Sequence, residues 1–583
     1  MKKKNLKIKA ADQHRPSLWN QKTKYLLVFV ILALIPVQAL TSIRWKSATV
    51  EEGVHLAAGA YYLKTGDFEA IPGYPPLIRM WMSLPAWLSG VKIPDEKLST
   101  EDMYPFDYGA RFLYEFNDAD SILFMGRFMV VALSLILGLY VFRLTKDFFG
   151  WEAGLFSLLF YVFCPNILAH SRLATLDLSL TAFFFITLFY YRRAVINSGW
   201  LNVFLSGTFA FLTINAKYTG LLLFPVLCIL NIFLFLMNKK NKKPDSPARR
   251  SWNILLFVLC FSFFMINVEY GFRGSFGSIK TYRNSFPENQ QNPTESIIPK
   301  SVSQIPILSS VPLPVPYGYL RGIDLTIYYD LKVNHPNWYL GKLYMDGEHW
   351  WHYYLTAIAL KLPVASLIII SFALYMCFFI FRHPGKMEMA CFLFIPSSIL
   401  FLFFAFICHS QLGLRLILPA FPFLFTACGF STQYLLGKNR TGYLILSVLM
   451  IWYIFSSISI YPHYLSYFNE IAGGPIKGVE YFADSNLDWG QDIKGLKKYM
   501  KEKNIQEINL IYYGPNGPLE TKYYGIKTAE MDRKPDLPWA ISATWLYYAD
   551  LEPFKSNVPF SLKKRKPDDR IGYSINIYWP ESR

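Results

Sequence analysis

Apolar residues along this chain gather in blocks of about 17–25 positions, the length at which a helix crosses a bilayer, separated by short polar connections. Spans are expected at about 25–43, 122–142, 153–169, 177–191, 201–214, 218–237, 252–270, 354–381, 389–408, 416–436 and 441–460. The connections at Arg143 and Lys146, Arg192 and Arg193, Lys239 to Arg250, Arg382 to Lys386 and Lys438 to Arg440 are basic, and the cluster Lys239 to Lys243 is the richest. Basic loops stay on the cytoplasmic side. With a cytoplasmic N-terminus, all of them land inside. The outside then receives three large pieces: 44–120, 271–353 and everything after 460. The N-terminal stretch 1–24 is basic and polar without a small-residue cleavage site, so the first apolar run is expected to remain as an anchor.

Composition agrees with that pattern. Of 583 residues, 53% are hydrophobic and only 17% charged, below the roughly 25% of a soluble globular protein. The net charge of +17 sits largely in the short loops that set topology, which removes most of the case for a nucleic-acid partner. The seven cysteines lie in or beside apolar runs, so no disulfide framework is expected. The fold expected is an all-α polytopic membrane domain of about eleven transmembrane helices over 25–460, followed by a small external α/β domain over 461–583.

Candidate chemistry gathers in the outer pieces. After the first span, Thr49 followed by Glu52 reads as a capping box opening a short helix. On that helix Glu51 and His55 are four apart, and Glu52 and His55 three apart, so they are neighbours. A helix N-terminus favours an ionised Glu51. Spacing alone leaves a bland alternative, in which Glu52 caps and Glu51 is solvated surface. Leu77 to Leu88 is apolar but too short to span, and is expected to lie along the interface. Asp177 stands at the mouth of an otherwise charge-free span, where an ionisable group is either functional or simply wet at the interface. Lys217, Arg415 and Lys361 fall at or near outer span ends. The cluster Trp350 to Tyr354 reads mainly as an interfacial aromatic belt. Glu348, His349 and His352 beside it do not have the spacing of a known metal-ligand signature.

Beyond 460 the character changes. Asp484-Ser485-Asn486-Leu487-Asp488-Trp489-Gly490-Gln491-Asp492 precedes a charged helix, Ile493 to Lys503. Ile508 to Tyr513 reads as a strand and Gly514 to Pro518 as a turn. The aspartate spacing does not fit an EF-hand loop.

Taken in order, these motifs resemble a known family. Glu51-Glu52 with His55, Gly59, Gly66-Asp67 and Pro75-Pro76-Leu77 is similar to the first external loop of the GT-C glycosyltransferases. Gly126-Arg127-Phe128, Arg172 to Asp177, Lys217 to Gly220, Lys361-Leu362-Pro363 and Leu414 to Pro419 follow in family order. The nearest groups are the protein O-mannosyltransferases (glycosyltransferase family 39) and the lipid A aminoarabinose transferases. The chain departs from them in two places: Glu51 stands where the family usually has Asp, and Tyr74 where the aminoarabinose transferases often have Lys. The resemblance implies transfer of a hexose or pentose from a polyprenyl-phosphate donor to a lipid, glycan or protein acceptor at the outer face of the inner (plasma) membrane. In that reading Glu51 is the base and Glu52 and Asp177 orient base or acceptor. Lys217 and Arg415, with Lys361, meet the donor phosphate, while His55, Tyr74 and His349 position loop or acceptor. No cofactor is implied with certainty, and a divalent cation is left open. The rival readings are a polytopic transporter and an inactive GT-C-like binding protein.

Overall fold

The computed structural model describes residues 20–583 apart from 99–103, 198, 238–246, 285–295, 298–304, 306–308, 333–335, 345–347, 381–386, 437–439, 515–516, 530–533, 549–557 and 581–583. The basic cluster at 239–243 and the basic loops at 382–386 and 438–439 therefore lie outside the described residues, as does most of the basic N-terminus.

Each apolar block becomes helix. The order is α1 Gln21–Ile43, α2 Glu52–Thr65, α3 Pro76–Leu88, α4 Tyr104–Tyr114, α5 Ala119–Phe149, α6 Trp151–Val162, α7 Pro165–Ser171, α8 Asp177–Asn197, α9 Trp200–Ala216, α10 Leu223–Met237 and α11 Pro247–Glu269. After the second large loop come α12 Tyr353–Lys361, α13 Val364–Ile380, α14 Met387–Phe406, α15 Phe421–Leu436 and α16 Arg440–Ser459. Short 3-10 segments, Tyr218–Leu222 and Leu414–Ala420, lead into α10 and α15. Among the described residues eight helical stretches are long and apolar enough to cross a membrane. The pair α6 and α7, bent by 64°, brings the number to nine, and Trp200–Ala216 and Val364–Met376 are apolar but shorter. The protein is a multi-pass membrane protein.

The eleven apolar blocks are all helical, but among the described residues eight or nine reach spanning length where about eleven spans were expected, and not all are single straight helices. The third breaks at Cys164-Pro165, because proline has no N–H to continue the ladder and disfavours a helical residue before it. The eighth breaks at Leu362-Pro363 for the same reason. Both breaks leave irregular backbone inside the protein, where side chains from neighbouring elements satisfy it: Asn166 Nδ2 donates to the Lys361 carbonyl at 2.6 Å.

The first large loop folds as helices laid on the bundle. α2 packs on α3 and α4, and α3 on α5. The approach of α2 to α3 requires Gly59, where a β-carbon would sit 2.1 Å from the Arg79 carbonyl oxygen. α3 is amphipathic, burying Ile78, Arg79, Met82 and Ala86 and exposing Trp81, Trp87 and Leu88. In the second loop, β1 Asn337–Tyr339 and β2 Lys342–Tyr344 form an antiparallel hairpin.

At the C-terminus, α17 Ile493–Glu502 packs on a four-stranded mixed sheet. Its strands are β3 Asn509–Ile511, β4 Trp539–Ser542, β5 Asp569–Ile571 and β6 Ile575–Tyr578, in the order β3-β4-β6-β5. β3 runs parallel to β4, and the other pairs are antiparallel. α17 is strongly amphipathic, turning Ile493, Leu496 and Met500 into a core with Ile508, Ala540, Ile575 and Ile577.

Candidate active site

Four charged side chains from four separate elements meet in one cluster. Glu51 occupies the cap position of α2, and its carboxylate takes a bidentate pair from Arg415 at 2.9 Å on each arm. Arg415 lies in the 3-10 segment before α15, and its Nη1 also stands 3.7 Å from Asp177 Oδ2. Asp177 begins α8 and pairs with Lys217 Nζ at 2.9 Å. Lys217 ends α9 in extended backbone, which turns its side chain back toward α8. The order is carboxylate, guanidinium, carboxylate, ammonium, so the charges balance along the row. All four are largely buried, Asp177 to 3% and Glu51 to 19% side-chain exposure. The wet, interfacial alternatives for Glu51 and Asp177 do not describe this geometry.

His55 sits one turn into α2, its Nε2 3.6 Å from Glu51 Oε2. Its Nδ1 accepts from Arg79 Nε at 3.2 Å, which leaves the proton on Nε2, facing Glu51. Burial pushes the His55 imidazole below its ordinary pKa, against the pull of Glu51. Burial alone would raise the Glu51 carboxyl, but the Arg415 guanidinium and His55 hold it well below the usual carboxylate range. Tyr74 closes this side, edge-on to His55 with ring centroids 5.2 Å apart and 5.0 Å from the Arg79 guanidinium.

Glu52 points the other way. It is fully buried, and its carboxylate accepts five donors: Arg127 Nε and Nη2, the Thr49 N–H and hydroxyl, and the Ala174 N–H, at 2.7–3.0 Å. The expected Thr49–Glu52 contact exists, but the helix starts at Glu52 itself with Glu51 as its cap residue. The capping box is instead a turn tied to Arg127. Glu52 thus holds the loop carrying Glu51 and touches none of the clustered charges through its carboxylate.

Lys361, expected on the phosphate, is also elsewhere. Its ammonium donates to the Leu465 and Asn486 carbonyls and lies 4.5 Å from the centre of the Phe468 ring. His349 stands beside His409, ring centroids 5.7 Å apart. Neither is brought to the Glu51–Lys217 row. The aromatic cluster divides: Trp351 is exposed, whereas Tyr353 is buried with its hydroxyl accepting from the Gly413 N–H and Asn486 Nδ2, next to the Arg415 segment. Among the described residues no three His, Cys, Asp or Glu side chains converge as a metal site.

Three residues of the site carry roles the sequence did not assign. Arg79 anchors His55 and also donates to Tyr62 and the Ile71 carbonyl. Its signal was a lone charge inside an apolar run. Arg127 was visible only as part of a motif. Trp489 lies under the Arg415 guanidinium, 4.4 Å from its ring centre.

Residues 119–268 match the family described as dolichyl-phosphate-mannose-protein mannosyltransferase. That stretch contains Arg127, Asp177 and Lys217, three of the side chains just described. Solved structures align with the chain at low identity. ArnT from Cupriavidus metallidurans, bound to undecaprenyl phosphate, aligns with TM-score 0.45 and 10% identity over 94% of this chain and 97% of its own. The archaeal oligosaccharyltransferase AglB from Archaeoglobus fulgidus gives 0.42 and 10%, over 75% and 56%. The S. cerevisiae Pmt1-Pmt2 complex bound to its sugar donor gives 0.35 and 17%, over 46% and 37%. No curated protein matches the chain.

Proposed function

We propose that this protein transfers a sugar from a polyprenyl-phosphate donor to an acceptor at the outer face of the membrane, by a single inverting displacement. The observation that carries the reading is the buried row Glu51–Arg415–Asp177–Lys217. A polyprenyl phosphate is already a good leaving group, so no general acid is needed. The reaction needs a base for the acceptor hydroxyl and cations where phosphate charge grows. Glu51 is the base. As the acceptor oxygen bonds to the anomeric carbon, its proton passes to the Glu51 carboxylate, the bond from carbon to phosphate oxygen breaks, and polyprenyl phosphate departs as the anion.

The cations retain capacity for that anion. Each Arg415 Nη has a second N–H beyond the one given to Glu51, and Lys217 Nζ has two beyond the one given to Asp177. Asp177 keeps both cations together, and His55 and Tyr74 bound the acceptor side of Glu51.

Radiolabelled polyprenyl-phosphate sugars incubated with purified protein and cell-envelope acceptors test the activity. Label transferred to an acceptor supports it; donor uptake into vesicles without transfer supports a transporter, and binding alone an inactive relative. Within the site, Lys217→Ala and Arg415→Ala are expected to weaken donor binding more than they slow turnover of bound donor. The phosphate is charged in the ground state too, so much of each contact is uniform binding. Donor titration in nanodiscs measures this, and unchanged affinity in both variants would move the phosphate site elsewhere.

The site faces outward only if the N-terminus is cytoplasmic and the C-terminal domain external, as the Lys and Arg bias of the loops supports. Single cysteines introduced at exposed positions between 494 and 570 are expected to react with an impermeant maleimide on intact spheroplasts. Reaction only after permeabilisation would reverse the topology.

A further inference from the structure

The segment Asp484 to Asp492 was the most distinctive polar motif of the C-terminal region, and the transfer chemistry leaves it without a role. In the structure it does not face solvent. It runs through the interior between the two loops that carry Glu51 and Arg415, and it is hydrogen-bonded to both.

One end holds the Arg415 loop. Ser485 Oγ donates to the Leu412 carbonyl at 3.0 Å, and Asn486 Oδ1 accepts from the Leu414 N–H at 3.1 Å. Gly413 between them adopts φ +83, and a β-carbon there would come within 3.0–3.1 Å of Ser485 Oγ and the Asn486 amide, so glycine is what lets the two segments meet. The Asn486 carbonyl is fixed in turn by Lys361, a buried ammonium that meets no carboxylate among the described residues.

The other end holds the Glu51 loop. The Ser47 N–H donates to the Gln491 carbonyl and the Val50 N–H to the Trp489 carbonyl, each at 3.0 Å. The Ile493 N–H returns to Ser47 Oγ at 3.2 Å. Lys46, immediately before, pairs with Asp492. Val50 is the residue before Glu51, so this backbone pairing sets where α2 starts.

Between the two ends stands Trp489. It is 2% exposed, and its ring lies against the Arg415 guanidinium at 4.4 Å. The guanidinium gives its two Nη to Glu51 and its Nε to the Leu412 carbonyl at 3.2 Å, while its central carbon stands over the indole ring. A guanidinium seated over an aromatic ring gains a cation–π contact beyond its edge hydrogen bonds, which resists tilting of its plane away from them. That plane decides which N–H groups point to Glu51 and which remain for a phosphate.

We propose that the 484–492 segment of the C-terminal domain is a positioning element of the transfer site, with Trp489 the residue that holds the Arg415 guanidinium plane toward Glu51 and the donor phosphate. This rests on the reading of Arg415 as a phosphate-binding residue. It gives the C-terminal domain a reason to be joined to the membrane domain: the domain carries part of the scaffold of the active site. Trp489 itself touches no reacting atom.

The test uses the full-length protein in nanodiscs, with undecaprenyl phosphate as the probe and binding followed by titration across pH 5–8. Trp489→Ala is expected to weaken binding by a few-fold to about 30-fold, the range of a buried cation–π contact. Trp489→Phe keeps an aromatic face and is expected to stay close to parental. Freeing Arg415 from its plane also loosens its grip on Glu51, so the Glu51 carboxyl rises toward its ordinary value. In sugar transfer, the acid limb of the rate profile of Trp489→Ala should therefore move to higher pH. A purely structural role would lower the melting temperature without moving that limb or restoring binding in the Phe variant. Parental binding and an unmoved acid limb in Trp489→Ala, with Arg415→Ala and Lys217→Ala both weakened, would overturn the positioning role and leave the phosphate site standing. Parental binding in all three variants would overturn the phosphate site and the positioning role together.

Discussion

Glu51→Gln is expected to reduce single-turnover sugar transfer by about 10²–10⁴-fold, the usual worth of general base catalysis, while the protein folds and binds donor. The amide keeps the size of the carboxylate and still accepts from one arm of Arg415, but it cannot take the acceptor's proton. The site is arranged to keep Glu51 ionised. Burial works against the charge, and Arg415 with His55 overcomes it, holding the carboxyl well below its usual range. A carboxylate held so low is fully deprotonated at neutral pH, and a weak base at the same time. The geometry offers the compensation: a phosphate anion at Arg415 would compete with Glu51 for the same guanidinium and restore some basicity as donor binds. Asp177→Asn should fall between Glu51→Gln and the parent. It loses the charge that holds Lys217 and Arg415 together, but not the proton acceptor. The measurement is transfer from pre-bound donor, with folding checked by thermal melt. Parental transfer by Glu51→Gln alongside an inactive Asp177→Asn would place the base on α8 instead.

The fold was legible because lipid solvent leaves little choice. Backbone polar groups in hydrocarbon must pair within their own segment, so apolar blocks had to become helix, and all eleven did, eight or nine of them at spanning length among the described residues. Breaks at Cys164-Pro165 and Leu362-Pro363 were also written in the sequence, but as prolines inside apolar runs, where a span and a broken span look alike. In the site, Glu51, Asp177, Lys217 and Arg415 could be picked out one at a time because charge at a span end is costly and therefore conspicuous. Their pairing could not, since it joins residues up to 364 positions apart. Lys361 shows the limit of the same argument. It is as conspicuous as Lys217 by charge and position, yet it is satisfied by two carbonyls where Lys217 meets a carboxylate. Adjacent identical residues were harder still. Nothing in the pair Glu51-Glu52 tells which carboxylate faces the site, because neighbours on a helix diverge by about 100° and either could point inward.

That divergence separates the two glutamates experimentally. Glu52→Gln is expected to destabilise the protein more than Glu51→Gln does, by about 3–5 kcal/mol, the cost of breaking a buried ion pair from one side. The two oxygens of Glu52 accept five donors, and a glutamine has one acceptor oxygen and one NH₂ group. If the NH₂ takes the place of Oε1, it faces Arg127 Nε and the Ala174 N–H. If it takes the place of Oε2, it faces Arg127 Nη2 and the Thr49 N–H and hydroxyl. Either orientation sets donor against donor and leaves the Arg127 guanidinium buried without its counter-charge. Arg127 also donates to the Lys46 and Ser47 carbonyls, so the loss loosens the segment that leads into Glu51. Adding Arg127→Met to Glu52→Gln removes the stranded charge and should recover part of the stability, though not the loop's hydrogen bonds. Thermal melts of the three variants in one detergent decide the matter, with transfer rates measured well below the lowest melting temperature. If Glu52→Gln melts with the parent but transfers no sugar, then Glu52 acts in the chemistry, and the separation of a structural from a catalytic glutamate is wrong.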